Sequence, residues 1–469
     1  MPGRIESDSL GEKEVPASAY YGIQTARALE NYPISGWRSH PRLIDAYMHQ
    51  KKASALANRD GGALKPELAS AIARACDEVL AGRMRDQFVV DVFQSGAGVS
   101  QHMNVNEVLA NRAAEILGGK KGDYGLVHPN DHVNFGQSTN DTYPTAMRVS
   151  ALMCARDLDP VLAALESALD AKGRELDHVL KPGRTHLQDA VPIRLGQEFA
   201  AYARAVGRGR RALKEACGHL EELGLGGTAA GTGLNTAPGY RDRAIGNLRL
   251  FTGLDLRPSA DMREAMQSNL PMAAAASALK LIALEIIRIS GDLRLMASGP
   301  TAGLAEIILP AVQPGSSIMP GKVNPAILEM AAMVCFQVVG CAAAVDYAVG
   351  AGQLELNVMM PAMTFNTLTS FEILRTSLTV LRTRCIEGIR ADEDRCRRFA
   401  EMSPAIVTAL NPYIGYAKGA EVVKEALRSG KTIPQVVREM NLLPEEDLKK
   451  ILDPFEMTEP GIPGRSPAK

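Results

Sequence analysis

Residues 272 to 289 read MAAAASALKLIALEIIRI, a stretch in which only Lys280, Glu285 and Arg288 carry charge. Alanine, leucine and methionine favour helix over strand. A helix that is apolar on nearly every side must be buried on nearly every side. Five segments share this Ala/Leu-rich character: 145 to 180, 192 to 223, 264 to 298 (around the quoted stretch), 326 to 350 and 365 to 390. Glycines and prolines gather between them more than inside them. The expected fold class is mainly α, with a long central five-helix bundle. One such bundle cannot bury all of its members. Helices are therefore expected to pack between subunits, and closed symmetry is the usual way to achieve this.

The flanks read differently. Residues 1 to 40 carry turn residues and few periodic apolar positions, and read as irregular. From Pro41 a three-four spacing takes over in Leu43, Ala46, Tyr47, Ala53, Leu56 and Ala57. Asp91 to Asn106 breaks the pattern, and EVLANRAAEIL then predicts a helix ended by Gly118 and Gly119. A loop is expected from His128 to Asp141. Beyond Arg390 the charge density rises in RADEDRCRR, and short helices and turns follow. The end, MTEPGIPGRSPAK, reads as a flexible tail. Three domains are expected: 1–141, mostly helical; 142–390, the bundle; and 391–469, small and helical with that tail.

Bulk properties narrow the function. The chain has 469 residues, a net charge of -1 and only 5% aromatic residues. It has no basic block, so nucleic acid and anionic membrane surfaces are poor partners. Seven scattered cysteines without a CxxC spacing predict buried thiols in a reducing compartment. The opening MPGRIESDSLGEKEVP is polar and charged, unlike a signal peptide. The apolar run Met330 to Val345 is shorter than the roughly 20 residues of a membrane span and predicts a buried helix. A cytoplasmic protein is expected.

Chemistry concentrates in the loops. GSSIMPGKVNP, residues 315 to 325, is bracketed by Gly315 and Gly321 and stiffened by Pro320 and Pro325. It offers the Ser316 and Ser317 hydroxyls, the Lys322 ammonium and the Asn324 amide, with no acid to neutralise the lysine. Such a loop suits an anion, most simply a carboxylate. Three other stretches share its polar composition: GAGVSQHMN (96 to 104), QSTND (137 to 141) and GRTHLQD (183 to 189). Loops at one end of one subunit can meet loops of another. Hydroxyl and amide donors around one or two cations suit a small dicarboxylate. His186 sits among Arg184, Thr185, Gln188 and Asp189, and its setting favours a functional role. Glu329, at the start of a helix, is a candidate to orient and charge it. Nothing points to a metal site or a cofactor: HExxH, P-loop and GxSxG patterns are absent from the sequence. GLGGTAAGTG at 224 to 233 is only a weak dinucleotide signal, because it follows a helix rather than a strand.

GSSIMPGKVNP resembles the signature of the aspartase/fumarase superfamily. GRTHLQDAVP, QSTND, MNVNEVLAN and AGTGLNT resemble its other blocks, so the resemblance spans nearly the whole chain. The opening from Arg4 to Gly36, Thr139, and AGQLELNV at 351 to 358 resemble the aspartate ammonia-lyase branch. LNPYIGYAKGAEVVKEA at 410 to 426 is closer to the class II fumarate hydratases. The resemblance implies a three-domain helical subunit in a homotetramer, with active sites shared by three subunits. It implies reversible anti elimination giving fumarate, from L-aspartate on the first branch. L-malate, or another substituted aspartate or succinate, is the alternative substrate, and a non-catalytic descendant a more distant one. By that resemblance Ser316 is the general base, and Lys322 and backbone amides stabilise its alkoxide. Ser138, Thr139 and Ser317 hold the β-carboxylate, and Lys322 and Asn324 the α-carboxylate. Asn140, Thr185 and His186 surround the amino group, with Glu329 behind His186. Three positions depart from the family pattern: Val99 and His102, where threonine and asparagine are usual, and Thr301 in place of arginine. Ser100 offers a neighbouring hydroxyl in compensation for Val99. The departures bear on the substrate more than on the elimination.

Overall fold

A computed structural model describes residues 3–465. The chain is mostly helical. Two antiparallel strands open it, β1 (Gly3–Asp8) and β2 (Gly11–Pro16), followed by helices α1 (Ile23–Asn31), α2 (Pro41–Asp60), α3 (Pro66–Leu80) and α4 (Val99–Ile116). Helix α5 (Thr139–Glu175) leads to a second hairpin, β3 (Leu180–Thr185) and β4 (Gln188–Arg194). Then come α6 (Leu195–Gly218), α7 (Tyr240–Thr252), α8 (Met262–Gln267), α9 (Leu270–Met296), α10 (Ala326–Gly350) and α11 (Met360–Arg384). Among the described residues the C-terminal stretch holds α12 (Glu393–Met402) and four further helices, beginning at Asn411, Tyr416, Ile433 and Glu445.

The five apolar segments are the five long helices α5, α6, α9, α10 and α11, of 37, 24, 27, 25 and 25 residues. Helices α9 and α10 are long and apolar enough to cross a membrane, yet fewer than half of the residues in their most apolar windows are buried within the chain.

The chain forms two compact units, each described by itself. The first comprises residues 1–160, 209–284 and 334–375. In it α2 packs against α3 and α7, and α3 against α4. The large side chains Tyr47, Ile72, Leu109, Tyr143 and Tyr240 are fully buried there. A buried aliphatic side chain of this kind contributes about 1.5–3 kcal/mol relative to exposure. The amino-terminal residues are not irregular. The buried Glu107 carboxylate accepts hydrogen bonds from the amides of Gly22, Gln24 and Thr25 and from the Thr25 hydroxyl, so an acid on α4 holds the first turn of α1. A local reading of residues 1 to 40 misses this because the acid lies more than eighty residues away.

The second unit comprises residues 161–208, 285–333 and 376–469. Its C-terminal part has an apolar cluster of its own, including Ile406, Leu410, Val422, Val436, Val437 and Ile451. The expected loose tail is tied down as far as it is described. Arg194 donates to the Thr458 hydroxyl and pairs with Glu459, and the Tyr413 hydroxyl donates to the Pro463 carbonyl. Residues 466–469 lie outside the described residues.

Candidate active site

Two of the four polar stretches open helices of the first unit. Only the first part of GAGVSQHMN is a turn. Gly98, at φ 77°, caps α4, and the rest of the stretch is helix. A Cβ on Gly98 would lie 2.0 Å from the Tyr143 ring, so side-chain-free backbone is required there. Val99 is exposed at the first position of α4. Ser100 is nearly buried, and its Oγ lies 2.9 Å from Ser95 Oγ.

QSTND starts α5 through a reciprocal cap. Ser138 Oγ accepts from the Asn140 amide at 3.2 Å, and Asp141 Oδ1 accepts from the Ser138 amide at 2.9 Å. The other Asp141 oxygen accepts from the amides of Gly226 and Thr228, and Asn140 Nδ2 donates to the Ala229 carbonyl. The glycine-rich stretch at 224 to 233 therefore clasps the start of α5. Burial pushes the Asp141 carboxyl up to about 6, against these amide donors and Lys51, which favour the charged form.

The two helix starts are joined by a side chain. His102 Nδ1 lies 2.6 Å from Thr139 Oγ1, and His102 Nε2 lies 2.8 Å from Lys51 Nζ. The Lys51 ammonium also donates to Asn134 Oδ1 at 2.9 Å and Gln137 Oε1 at 3.0 Å. Lys51 and His102 are buried. Burial lowers the Lys51 ammonium to about 7, and burial together with the Lys51 charge holds His102 well below its ordinary value. The start of α5 carries Ser138, Thr139 and Asn140, and the aligned helix dipole favours negative charge there. Lys51 had no signal in the sequence: it lies mid-helix in α2, among alternating apolar and polar residues.

The other two stretches belong to the second unit. GRTHLQD is a β-hairpin, not a loop between helices. Thr185 pairs with Gln188, leaving His186 and Leu187 as a two-residue turn at φ 55° and 59°. Positive φ at both turn positions matches the twist of the paired strands. Thr185 and His186 are exposed at this tip. Its base is anchored below. The Arg184 guanidinium donates twice to the fully buried Glu306 carboxylate, and Lys181 lies 3.6 Å from Glu306 and 2.9 Å from Glu198.

The 315–325 stretch is a loop closed on itself. The Gly315 amide donates to the Lys322 carbonyl at 2.8 Å, and Asn324 Nδ2 donates to the Gly315 carbonyl at 2.5 Å. Ser316 Oγ accepts from the amides of Met319 and Ile318, at 2.9 and 3.3 Å. These two amides face the oxygen that an alkoxide would occupy. Ser317 and Lys322 are exposed, and among the described residues their side chains make no hydrogen bond. Glu329 opens α10 and lies 3.7 Å from Arg294 rather than against His186.

The chain is a lyase, with polar residues at helix starts in one unit and at a hairpin tip and a self-closed Ser/Lys/Asn loop in the other. The sequence places it more narrowly. Residues 11–340 match the lyase family and residues 406–459 the fumarase C C-terminus family. The chain belongs to this lyase family, in the aspartase/fumarase superfamily. It is 47% identical over 462 residues to an aspartate ammonia-lyase of Bacillus subtilis (strain 168), covering 98% of this chain and 97% of that one. It is 48% identical over 460 residues to a class II fumarate hydratase of Halobacterium salinarum (strain ATCC 700922 / JCM 11081 / NRC-1), covering 98% of each. The fumarate lyase:delta crystallin structure from Brucella melitensis bound to cobalt superposes with a TM-score of 0.95 at 46% identity, covering 98% of this chain and all of that one. The helical-bundle fold expected from the sequence is the fold of this family.

Proposed function

We propose that the chain catalyses the reversible anti elimination of ammonia from L-aspartate to give fumarate. The observation that carries this reading is the 315–325 loop. Its own backbone and the Asn324 amide hold it closed, with the Ser316 oxygen facing two amides and the Lys322 side chain exposed on the same loop. Serine is a poor base at its ordinary pKa. Two amide donors and a nearby ammonium are the groups that stabilise its alkoxide.

In this reading Ser316 removes the Cβ proton. The negative charge builds on the β-carboxylate, held by Ser138 and Thr139 at the positive end of α5 and by Ser317 on the 315–325 loop. Lys322 and Asn324 bind the α-carboxylate. Asn140, Thr185 and His186 surround the amino group, and Glu329, which lies against Arg294 within one chain, acts on His186 of a neighbouring copy. The 315–325 loop closes over the substrate and excludes water. The sites draw on three subunits of a homotetramer. Half of each of Leu270, Leu281, Met333, Phe336 and Tyr347 or more is exposed on α9 and α10, apolar surface that other copies of the chain would cover. The same packing accounts for α9 and α10 without a membrane. The three-domain division at 141 and 390, a cytoplasmic location and the absence of nucleic-acid partners belong to this reading.

Hydration of fumarate is the second reading, favoured by the Halobacterium salinarum relative and by residues 410 to 426. Following fumarate absorbance after adding L-aspartate, or L-malate, separates the two. Growth of absorbance with L-aspartate is expected. A flat trace with L-aspartate and a rise with L-malate selects the hydratase, and rises only on substituted aspartates select a different lyase. Ser316→Ala should abolish turnover with the assembly intact.

A further inference from the structure

We infer that His102 is a positioning residue that relays the charge of buried Lys51 to the Thr139 hydroxyl and so decides whether that hydroxyl donates to substrate. The inference rests on the reading of Thr139 as a carboxylate ligand.

The hydrogen-bond arithmetic carries it. A Lys51 ammonium has three protons and no lone pair. Its three neighbours are Asn134 Oδ1, Gln137 Oε1 and His102 Nε2. With Lys51 charged, Nε2 must accept, so the imidazole proton sits on Nδ1. Nδ1 then donates to Thr139 Oγ1 at 2.6 Å. Among the described residues no other hydrogen bond reaches that oxygen. The Thr139 proton is therefore free to point outward to an anion.

When Lys51 loses a proton, its amine gains a lone pair and the direction reverses. Nε2–H donates to Lys51, or to Thr142 Oγ1 at 3.2 Å, whose own proton is committed to the Ser138 carbonyl. Nδ1 then accepts from the Thr139 hydroxyl and withdraws it from substrate. Asn106 Nδ2, at 3.4 Å from Nε2, supports the first state. The titratable groups facing the pair are Asp141 on α5, Cys76 on α3 and Tyr47 on α2, whose ring stacks on His102 at 6.0 Å. Of these Asp141 favours the charged lysine, and Cys76 and Tyr47 stay neutral near pH 7 because burial raises both.

The test is a double-mutant cycle of His102→Asn and Thr139→Val, read as KM for L-aspartate and Ki for succinate across pH. The expected result is a rise of about tenfold in Ki for either variant, an effect of one charge-assisted hydrogen bond. The double variant should be no worse than Thr139→Val alone, and kcat should move less than KM. In the unaltered enzyme the succinate Ki should climb as pH rises through the loss of the Lys51 proton, a step missing in both single variants. Additive effects, or no effect of His102→Asn while Thr139→Val weakens binding, overturn the relay and leave the site intact. An unchanged Ki in Thr139→Val removes Thr139 from the site and the relay with it. Should His102→Asn fail to fold, the pH step in the unaltered enzyme and its loss in His102→Gln decide the matter: no step, or a step that persists, overturns the inference.

Discussion

Arg184 grips Glu306 through two parallel hydrogen bonds of 2.9 Å, two residues before His186 at the hairpin tip. The Glu306 side chain is completely buried, and Lys181 is a second cation beside it. The exposed histidine is thus held by an ion cluster beneath it rather than by contacts of its own. Glu306→Ala leaves the Arg184 guanidinium without its acid and Lys181 with Glu198 alone, a loss of about 3–5 kcal/mol for a buried pair broken on one side. Chemical denaturation should show the midpoint falling sharply, with Glu306→Gln falling less.

The loop carrying Ser316 depends on a close backbone approach. A Cβ on Gly315 would lie 2.6 Å from both the Asn324 amide nitrogen and the Lys322 carbonyl oxygen. Because those atoms are backbone, they cannot move aside as a flexible side chain would. Gly315→Ala should cut kcat/KM by two orders of magnitude or more, roughly the effect of misplacing a catalytic group by an ångström. The thermal midpoint should stay nearly unchanged, since the loop is largely exposed. A normal rate in this variant would remove the closed loop from the mechanism.

Asn324→Ala separates the clasp from the ligand role. Its amide donates to the Gly315 carbonyl within the loop. Its loss should lower kcat as well as raise KM, whereas a pure carboxylate ligand would chiefly raise KM. Steady-state kinetics on L-aspartate reads the difference.

Val99 places an apolar, exposed side chain at the first turn of α4, and the neighbouring Ser100 hydroxyl is engaged with Ser95. Ser100 is therefore poorly placed to replace a missing hydroxyl. If L-aspartate is the substrate, Val99→Thr should lower its KM by about fivefold or more, the scale of one hydrogen bond to a charged group. A rise in KM would point instead to a substrate with an apolar substituent beside Val99.

Lys51 predicts a pH dependence of stability. Burial lowers its folded-state value to about 7, well below that of an exposed lysine. Between pH 7 and the ordinary lysine range the unfolded chain holds the proton that the folded chain has lost. Stability from this group therefore rises with pH across that window, by at most about 1.4 kcal/mol per unit. Subtracting the denaturation curves of Lys51→Met from those of the unaltered protein should reveal that slope.

The five long helices were legible in the sequence because their apolar content is continuous and needs no partner to be recognised. The polar stretches were legible too, as places where glycine and proline interrupt those helices among hydroxyls and amides. What the stretches become was not. GRTHLQD folds as a hairpin because Arg184 and Lys181 meet Glu306, more than a hundred residues away. Val99 to Asn104 is helical because Gly98 fits against the Tyr143 ring. The start of the chain is ordered by Glu107. Lys51 joins the site only by burial beside His102, Asn134 and Gln137. Local composition sets where helices run and which chemistry the loops carry. The tertiary structure alone decides which charge is buried against which acceptor, because that choice depends on residues distant in sequence sharing a space from which water is excluded.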